Sequence, residues 1–294
     1  MPTVRHCSRR GFCRMLGAAA LAAAPAGRSH AHSAQAPLRI AALEHRIVET
    51  LLAIGLSPLA MQDPATYRRW VVEPPLPDGV VDLGTEAEPN VELLADLRPD
   101  LILTPEERPD LDRLAMIAPL RALTMTPAPG IREYAHFETV LLDLARLFAR
   151  SASGHAAVSG VEADIAGARR RLIRRAGQPV FLVTFVDNRH VWVYGRSNLF
   201  QDVLDRVGLV NAWADEGTFD VVGIDKLADR KDARLVFIEN NAPGVPADLA
   251  ASPLWRALPF VRAGRVAGIA SVTPFGALPT AGRFARLLAA AGDP

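Results

Sequence analysis

Cysteine is nearly missing. The chain has 294 residues and only Cys7 and Cys13, both at its extreme start. Beyond residue 13 there can be no disulfide, thiolate nucleophile or cysteine metal site, and an oxidising compartment finds nothing to mispair. Internal repeats and low-complexity tails are also lacking. No glycine-rich phosphate loop follows the first apolar strand, because Leu43 runs into Glu44-His45. Gly195-Arg196-Ser197-Asn198 begins like a nucleophile elbow, but Leu199 stands where the second glycine belongs. His45, His136, His155 and His190 are scattered, with no i, i+4 pair to present a metal. These absences disfavour an exported α/β enzyme, which stays as the alternative from a different class.

What is present begins with residues 1–36, read as a twin-arginine signal peptide. Ser8-Arg9-Arg10-Gly11-Phe12 precedes an apolar run from Met15 to Ala26, too short to span a bilayer, and Ala34-Gln35-Ala36 offers a cleavage site. No cysteine follows the run to carry a lipid. Without the five arginines of this leader the chain has 28 basic and 32 acidic residues, a net charge of −4. That balance gives no reason to expect nucleic acid or an anionic membrane as a partner. The remaining length suffices for two domains, each with its own core.

Residues 37–150 read as a first α/β lobe. Arg39–Leu43, Leu56–Met61, Val80–Leu83 and Leu101–Leu103 are strand-like, with helices predicted over Val48–Ile54 and Asn90–Leu97 and a further apolar run over Leu114–Ile117. Three prolines in four residues, Pro74-Pro75-Leu76-Pro77, predict an extended connection after Trp70. Residues 151–176 read as a linker helix. Val161, Ile165, Ala168 and Leu172 form one apolar face, and Arg169, Arg170, Arg171, Arg174 and Arg175 crowd the end that suits cations. A rod from Ala152 to Arg175 would be roughly 36 Å long. It is either a rigid connector between lobes or one more surface helix. Residues 177–294 read as a second lobe, with strands Val180–Val186, Val191–Tyr194, Leu235–Ile238 and Val266–Ala270 and helices Leu199–Val207 and Pro279–Ala291. Alternation of this kind predicts mostly parallel sheets with ligands at the carboxyl ends of the strands.

Trp70-Val71 through Glu73-Pro-Pro-Leu-Pro77, then Glu88-Pro89-Asn90-Val-Glu-Leu-Leu94 and Arg98-Pro99-Asp100, form the least generic stretch of the first lobe. In the second lobe, Asp187-x-Arg189-His190, Gly195-Arg-Ser-Asn-Leu-Phe-Gln201, Asn211-Ala-Trp213 and Ser252 through Arg265 follow in order. With these motifs the chain resembles the periplasmic ferric hydroxamate-binding proteins of iron–siderophore ABC importers. The resemblance implies two Rossmann-like α/β lobes joined by one long rigid helix, with small closure on binding. It implies a monomer that holds a ferric siderophore between the lobes and delivers it to an inner-membrane permease and its ATPase. No cofactor is expected, since iron arrives only within the ligand. Haem, a cobalamin or a non-hydroxamate siderophore is the same-fold alternative.

Candidate ligand contacts implied by this resemblance are His45, Trp70, Glu86, Glu107, Arg108, Arg189, Ser197, Asn198, Trp213, Asp220, Thr273 and Phe275. Several depart from the family pattern. The arginine that donates to hydroxamate oxygens falls at Glu86, and the family tyrosine falls within the shorter Glu106–Arg108 loop. His45, Thr104, Asp220 and Thr273 occupy tryptophan positions, and Phe275 a tyrosine position. An ionised carboxylate cannot donate to chelating oxygens. Either Arg108, Arg46 or Arg189 supplies the donor, or Glu86 accepts from a cationic part of the ligand, or Glu86 turns to solvent. Asp112 and Asp225 match the acidic residues through which each lobe docks on the permease.

Overall fold

The computed structural model describes residues 38–86, 88–213, 215, 217–239 and 244–291, so the predicted signal peptide lies outside the described residues. The first lobe runs β1 (Ile40–Ala42), α1 (His45–Ala53), β2 (Ala60–Met61), α2 (Pro64–Thr66), β3 (Val81–Asp82), α3 (Val91–Asp96), β4 (Leu101–Pro105), α4 (Leu111–Ala115), β5 (Leu120–Leu123) and α5 (Glu133–Leu147). Its five strands form one sheet in the order β3-β2-β1-β4-β5, every pair parallel. After α6 (Ser151–Arg171) comes the second lobe: β6 (Pro179–Phe185), β7 (His190–Tyr194), α7 (Leu199–Val207), β8 (Val210–Asn211), β9 (Phe219–Gly223), β10 (Arg234–Ile238), α8 (Ala247–Ala251), α9 (Pro253–Ala257), α10 (Pro259–Arg262), β11 (Val266–Ile269) and α11 (Leu278–Ala290). Its sheet runs β11-β10-β6-β7-β9, with β8 beside the start of β6; only the pairings made by β7 are antiparallel.

Strand periodicity decides where the core lies. Ile40 and Ala42 face one way and Ala41 and Leu43 the other; Val180 and Leu182 oppose Phe181 and Val183 in the same manner. The outer faces make two separate clusters, one per lobe. The inner faces do not. Ile40, Ala42 and Leu103 of the first sheet and Val180, Leu182, Val236 and Ile269 of the second belong to one continuous cluster, filled by side chains of α1, α5, α6, α7 and α11. The expectation of two independent cores therefore needs correcting: both lobes close upon a shared helical layer. Within it α6 buries Val158, Val161, Ile165 and Ala168, and it packs on α5 of the first lobe and on α7 and α11 of the second. Gly154 makes the α5 approach possible, since a Cβ there would lie 2.5 Å from that of Ala145.

Polar links cross the same boundary. The Glu49 carboxylate of α1 accepts from the amides of Ala277 (2.8 Å) and Thr280 (2.6 Å) at the start of α11. Arg132 pairs with Asp202 and Asp205 of α7, and Asp202 also accepts from the Tyr134 amide at 2.8 Å. Arg286 of α11 pairs with Glu73 and with Asp164 of α6.

Several element boundaries differ from expectation, each for a local reason. Helix α1 starts at His45 rather than Val48, because Glu44 caps it by accepting from the Ile47 amide at 3.1 Å. The strand read over Leu56–Met61 shrinks to Ala60–Met61, since Pro58 removes a donor and restricts Ser57. Trp70 lies in a π-helical turn, Tyr67–Val71, so the extended connection begins only after it. Leu114–Ile117 falls on the end of α4 and the turn behind it. The α-helical part of the long helix ends at Arg171, and a 3-10 turn, Ile173–Arg175, completes the segment. Strands β5 and β9 and helix α5 are additions to the sequence reading.

Candidate functional site

Because β1, β2 and β4 run parallel and side by side, their carboxyl ends deliver Glu44-His45, Gln62-Asp63 and Glu106–Arg108 to one edge of the sheet. Gln62, fully buried, organises that edge. Its Nε2 donates to the carbonyls of Thr85 (2.7 Å) and Glu86 (3.1 Å), and its Oε1 accepts from Arg108 at 3.4 Å. His45 faces the carbonyls of Gln62 (3.2 Å) and Asp63 (3.1 Å) through Nε2, which must therefore donate. Its Nδ1 lies 3.4 Å from the Glu86 carboxylate, whose side chain is 57% exposed, and its ring edge meets the buried Tyr67. Glu86 is thus turned towards His45 at the rim. Gln62 was not singled out from the sequence; the available signal was an amide immediately after a buried strand.

The three candidate substitute donors differ in freedom. Arg108 forks onto Asp110 (2.9 Å twice) and also reaches the Glu86 carbonyl at 3.3 Å. That fork holds the Asp110 carboxyl below the usual range. Arg46 bonds Glu44 at 2.7 Å and the Met125 carbonyl at 3.1 Å, with its guanidinium over the Phe137 ring. Arg189 is exposed in the β6–β7 turn, where Asp187 accepts the Arg189 and His190 amides. The His190 ring and these amides hold the Asp187 carboxyl at about 2. The Arg189 guanidinium makes no hydrogen bond or ion pair to a described residue. Glu107 is exposed, and Trp70, half-buried, carries the Arg69 guanidinium over its ring.

In the second lobe several candidates are tied to their own neighbours. Asn198 caps α7, accepting from the Gln201 amide at 3.2 Å while its Nδ2 donates to the carbonyls of Gly195 and Thr218. Trp213 donates from Nε1 to Asp220 at 2.7 Å, so these two residues answer each other. Buried Thr273 accepts from the Phe275 amide at 3.0 Å and shapes the loop before α11. Ser197 is exposed, and its carbonyl accepts from Thr218. Phe275 is 55% exposed and meets Phe219 edge-on; Phe219 in turn tilts against Trp192 at 5.3 Å. Trp192 and Phe219 are the aromatic residues that the sequence reading missed. They come together only through the β7–β9 pairing, in which Val221 lies opposite Trp192 and Phe219 opposite Tyr194.

Phe275 leads into the start of α11, whose amides bond Glu49, and His45 lies one turn before Glu49 on α1. The second lobe thus carries an apolar aromatic patch, and the first lobe a polar rim of His45, Glu86 and Arg108. A separate groove of about 680 Å³ lies between Pro127–Glu133 and the start of α7, with Ser197 and Asn198 in its lining. No aromatic ring lines it, and Arg132 and Asp202 bridge it, so the aromatic patch of Trp192, Phe219 and Phe275 suits an organic ligand better. Among the described residues no cluster of three or more His, Cys, Asp or Glu could hold a metal, and no helix is long and apolar enough to cross a membrane. Asp112 and Asp225 are both exposed, one in the first turn of α4 and the other in the 3-10 segment Ile224–Asp229.

Against known proteins, residues 40–273 match the family described as periplasmic binding protein. The iron(3+)-hydroxamate-binding protein FhuD of Escherichia coli K12 is 38% identical over 281 residues, 94% of each chain. The Fe3+–Desferal-bound siderophore-binding protein FhuD of Vibrio cholerae superposes with a TM-score of 0.79 at 26% identity, covering 87% of this chain and 97% of that one. FhuD2 of Staphylococcus aureus with bound ferrioxamine B shares the fold, with a TM-score of 0.65 at 18% identity over 87% and 100% of the two chains. Two parallel-rich lobes on a shared helical layer and these similarities agree: the chain belongs to the periplasmic binding protein family.

Proposed function

We propose that this protein captures a ferric siderophore of the hydroxamate type in the cleft between its lobes and delivers it to an ABC permease for iron uptake, without catalysing a reaction. The observation that carries this reading is the end-to-end similarity to a hydroxamate-binding relative, 94% of both chains. The aromatic patch of Trp192, Phe219 and Phe275 supports it, because rings pack on the organic shell of a chelate. Iron enters only as part of the ligand. The leader directs export by the twin-arginine route to the periplasm. Titrating ferric siderophores while following tryptophan fluorescence tests the reading, with quenching of Trp192 and Trp70 as the expected signal. Saturation by haem or a cobalamin, and by no ferric siderophore, would replace it.

The ligand carries a cationic or amine-bearing group that Glu86 accepts, as a linear ferrioxamine-like trihydroxamate would. Glu86 is held at the rim by the Gln62 and Arg108 bonds to its carbonyl, with its carboxylate more than half exposed. Across a siderophore panel, Glu86→Arg should weaken the preferred ligand by about 1.5–3 kcal/mol, the value of a charged hydrogen bond. Equal or tighter binding by the variant defeats the assignment.

Asp112 and Asp225 present one carboxylate per lobe to cationic residues of the permease. The double variant Asp112→Ala, Asp225→Ala should bind siderophore normally yet lose iron uptake in cells. Intact uptake would rule out this docking pair. Neither carboxylate makes a hydrogen bond or ion pair with a described residue, so the substitutions disturb little of the fold.

A further inference from the structure

The arginines at the end of the long helix have no part in the cleft, which lies at the other ends of the strands. After α6 the 3-10 turn Ile173–Arg175 is followed by Gly177 at φ 76°, a left-handed conformation that suits glycine and lets the chain reverse into β6. Strand β10 pairs in parallel with β6, Arg234 opposite Val180, and the Leu235 amide donates to the Arg265 carbonyl at 2.9 Å. Residues far apart in sequence, Arg174, Arg175, Arg234 and Arg265, are therefore gathered at the amino-terminal edge of the second sheet.

Arg174, Arg175 and Arg234 line an open surface depression of about 450 Å³ together with Ala176, Gly177 and Gln178. Arg234 is only 7% exposed. Its buried Nε has no hydrogen-bond partner, and its guanidinium makes no ion pair with a described residue. Arg265 likewise buries an unpartnered Nε, while a terminal nitrogen donates to the Lys231 carbonyl. Burial, and then the charges of Arg175 and Arg265, push the Arg234 guanidinium below its ordinary range; no carboxylate offsets them. A buried cation among like charges is unfavourable unless an anion answers it. The planar guanidinium fork is matched in geometry to phosphate oxygens.

We propose that this open, arginine-lined depression is an anion site for a phosphate group, carried either by free phosphate or by a phospholipid headgroup. It acts independently of siderophore capture at the opposite end of the lobe. The test uses the exported chain and the double variant Arg174→Gln, Arg175→Gln, whose side chains are exposed and half-exposed and lie outside the hydrophobic clusters. Calorimetric titration with inorganic phosphate, against chloride at matched ionic strength, reads the free anion. Flotation with phosphatidylglycerol vesicles, against phosphatidylcholine, reads the headgroup. Saturable phosphate binding that falls at least tenfold in the double variant supports a free-anion site. Binding to phosphatidylglycerol alone, lost in the same variant, supports a headgroup site. Arg234→Lys should also weaken either ligand, because an ammonium cannot reproduce the fork. Binding no better than chloride and phosphatidylcholine, or unchanged in the double variant, overturns the proposal. Ferric siderophore binding serves as the control for folding and should be unaltered in every variant.

Discussion

Phe284→Ala should lower the unfolding free energy by about 3–5 kcal/mol, the range for removing a large buried aromatic, and should do so in one transition for the whole protein. Phe284 is fully buried on α11 and stacks on Phe200 of α7 with ring centroids 4.1 Å apart. Both rings belong to the cluster that also contains Ile40, Leu103 and Leu141 of the first lobe. A cavity opened there removes contacts from the cluster to which both sheets contribute, so both lobes lose support together although each keeps its own outer cluster. Urea unfolding followed by circular dichroism and by tryptophan fluorescence checks this. Coincident curves with a shifted midpoint are expected. Two separate steps, with only one moved, would mean that the lobes fold independently.

The second large effect is a dependence of stability on pH centred on Glu49. This carboxyl is fully buried where α1 meets α11, and burial raises its pKa from 4.5 to about 7, against the two amide bonds that favour its charge. Between these values the folded protein keeps a proton that the unfolded chain has released. Stability must therefore fall as pH rises from 4.5 towards 7, then level off. Integrated over that interval the loss is about 3 kcal/mol. Glu133 adds a smaller contribution of the same sign: burial first, then the charge of Asp202, raises it to about 7, and it is only partly enclosed. Glu49→Gln cannot titrate, so it should flatten most of the slope while leaving the remainder due to Glu133. A variant whose stability still fell by the full amount over this interval would remove Glu49 as the source.

Much of the architecture was legible in the chain because its signals are local. Apolar triplets followed by capped helices announce parallel α/β units. Val161, Ile165 and Ala168 announce the buried face of the long helix, and all three are buried. The signal for α5 is also present: Tyr134, Phe137, Val140, Leu141 and Leu144 recur at helical spacing and are buried. The residue types at Glu86 and Phe275, where the family resemblance implies an arginine and a tyrosine, are likewise visible without coordinates.

Tertiary structure alone decided which of those residues meet. Gln62 becomes the organiser of the rim because β1, β2 and β4 end together, and Arg108 becomes a fixed support because Asp110 and Gln62 already hold it. Trp192, Phe219 and Phe275 form one surface only after β7 pairs with β9 and the last loop folds over them. The long helix changes meaning in the same way. Its sequence describes an amphipathic rod, whereas its place between α5, α7 and α11 makes it part of a core common to both lobes. Helix and strand periodicities are written within a few residues, so sequence can express them. Shared burial and side-chain pairing join residues separated by dozens or hundreds of positions, as Glu49 and Thr280 are, and exist only once the chain has closed on itself.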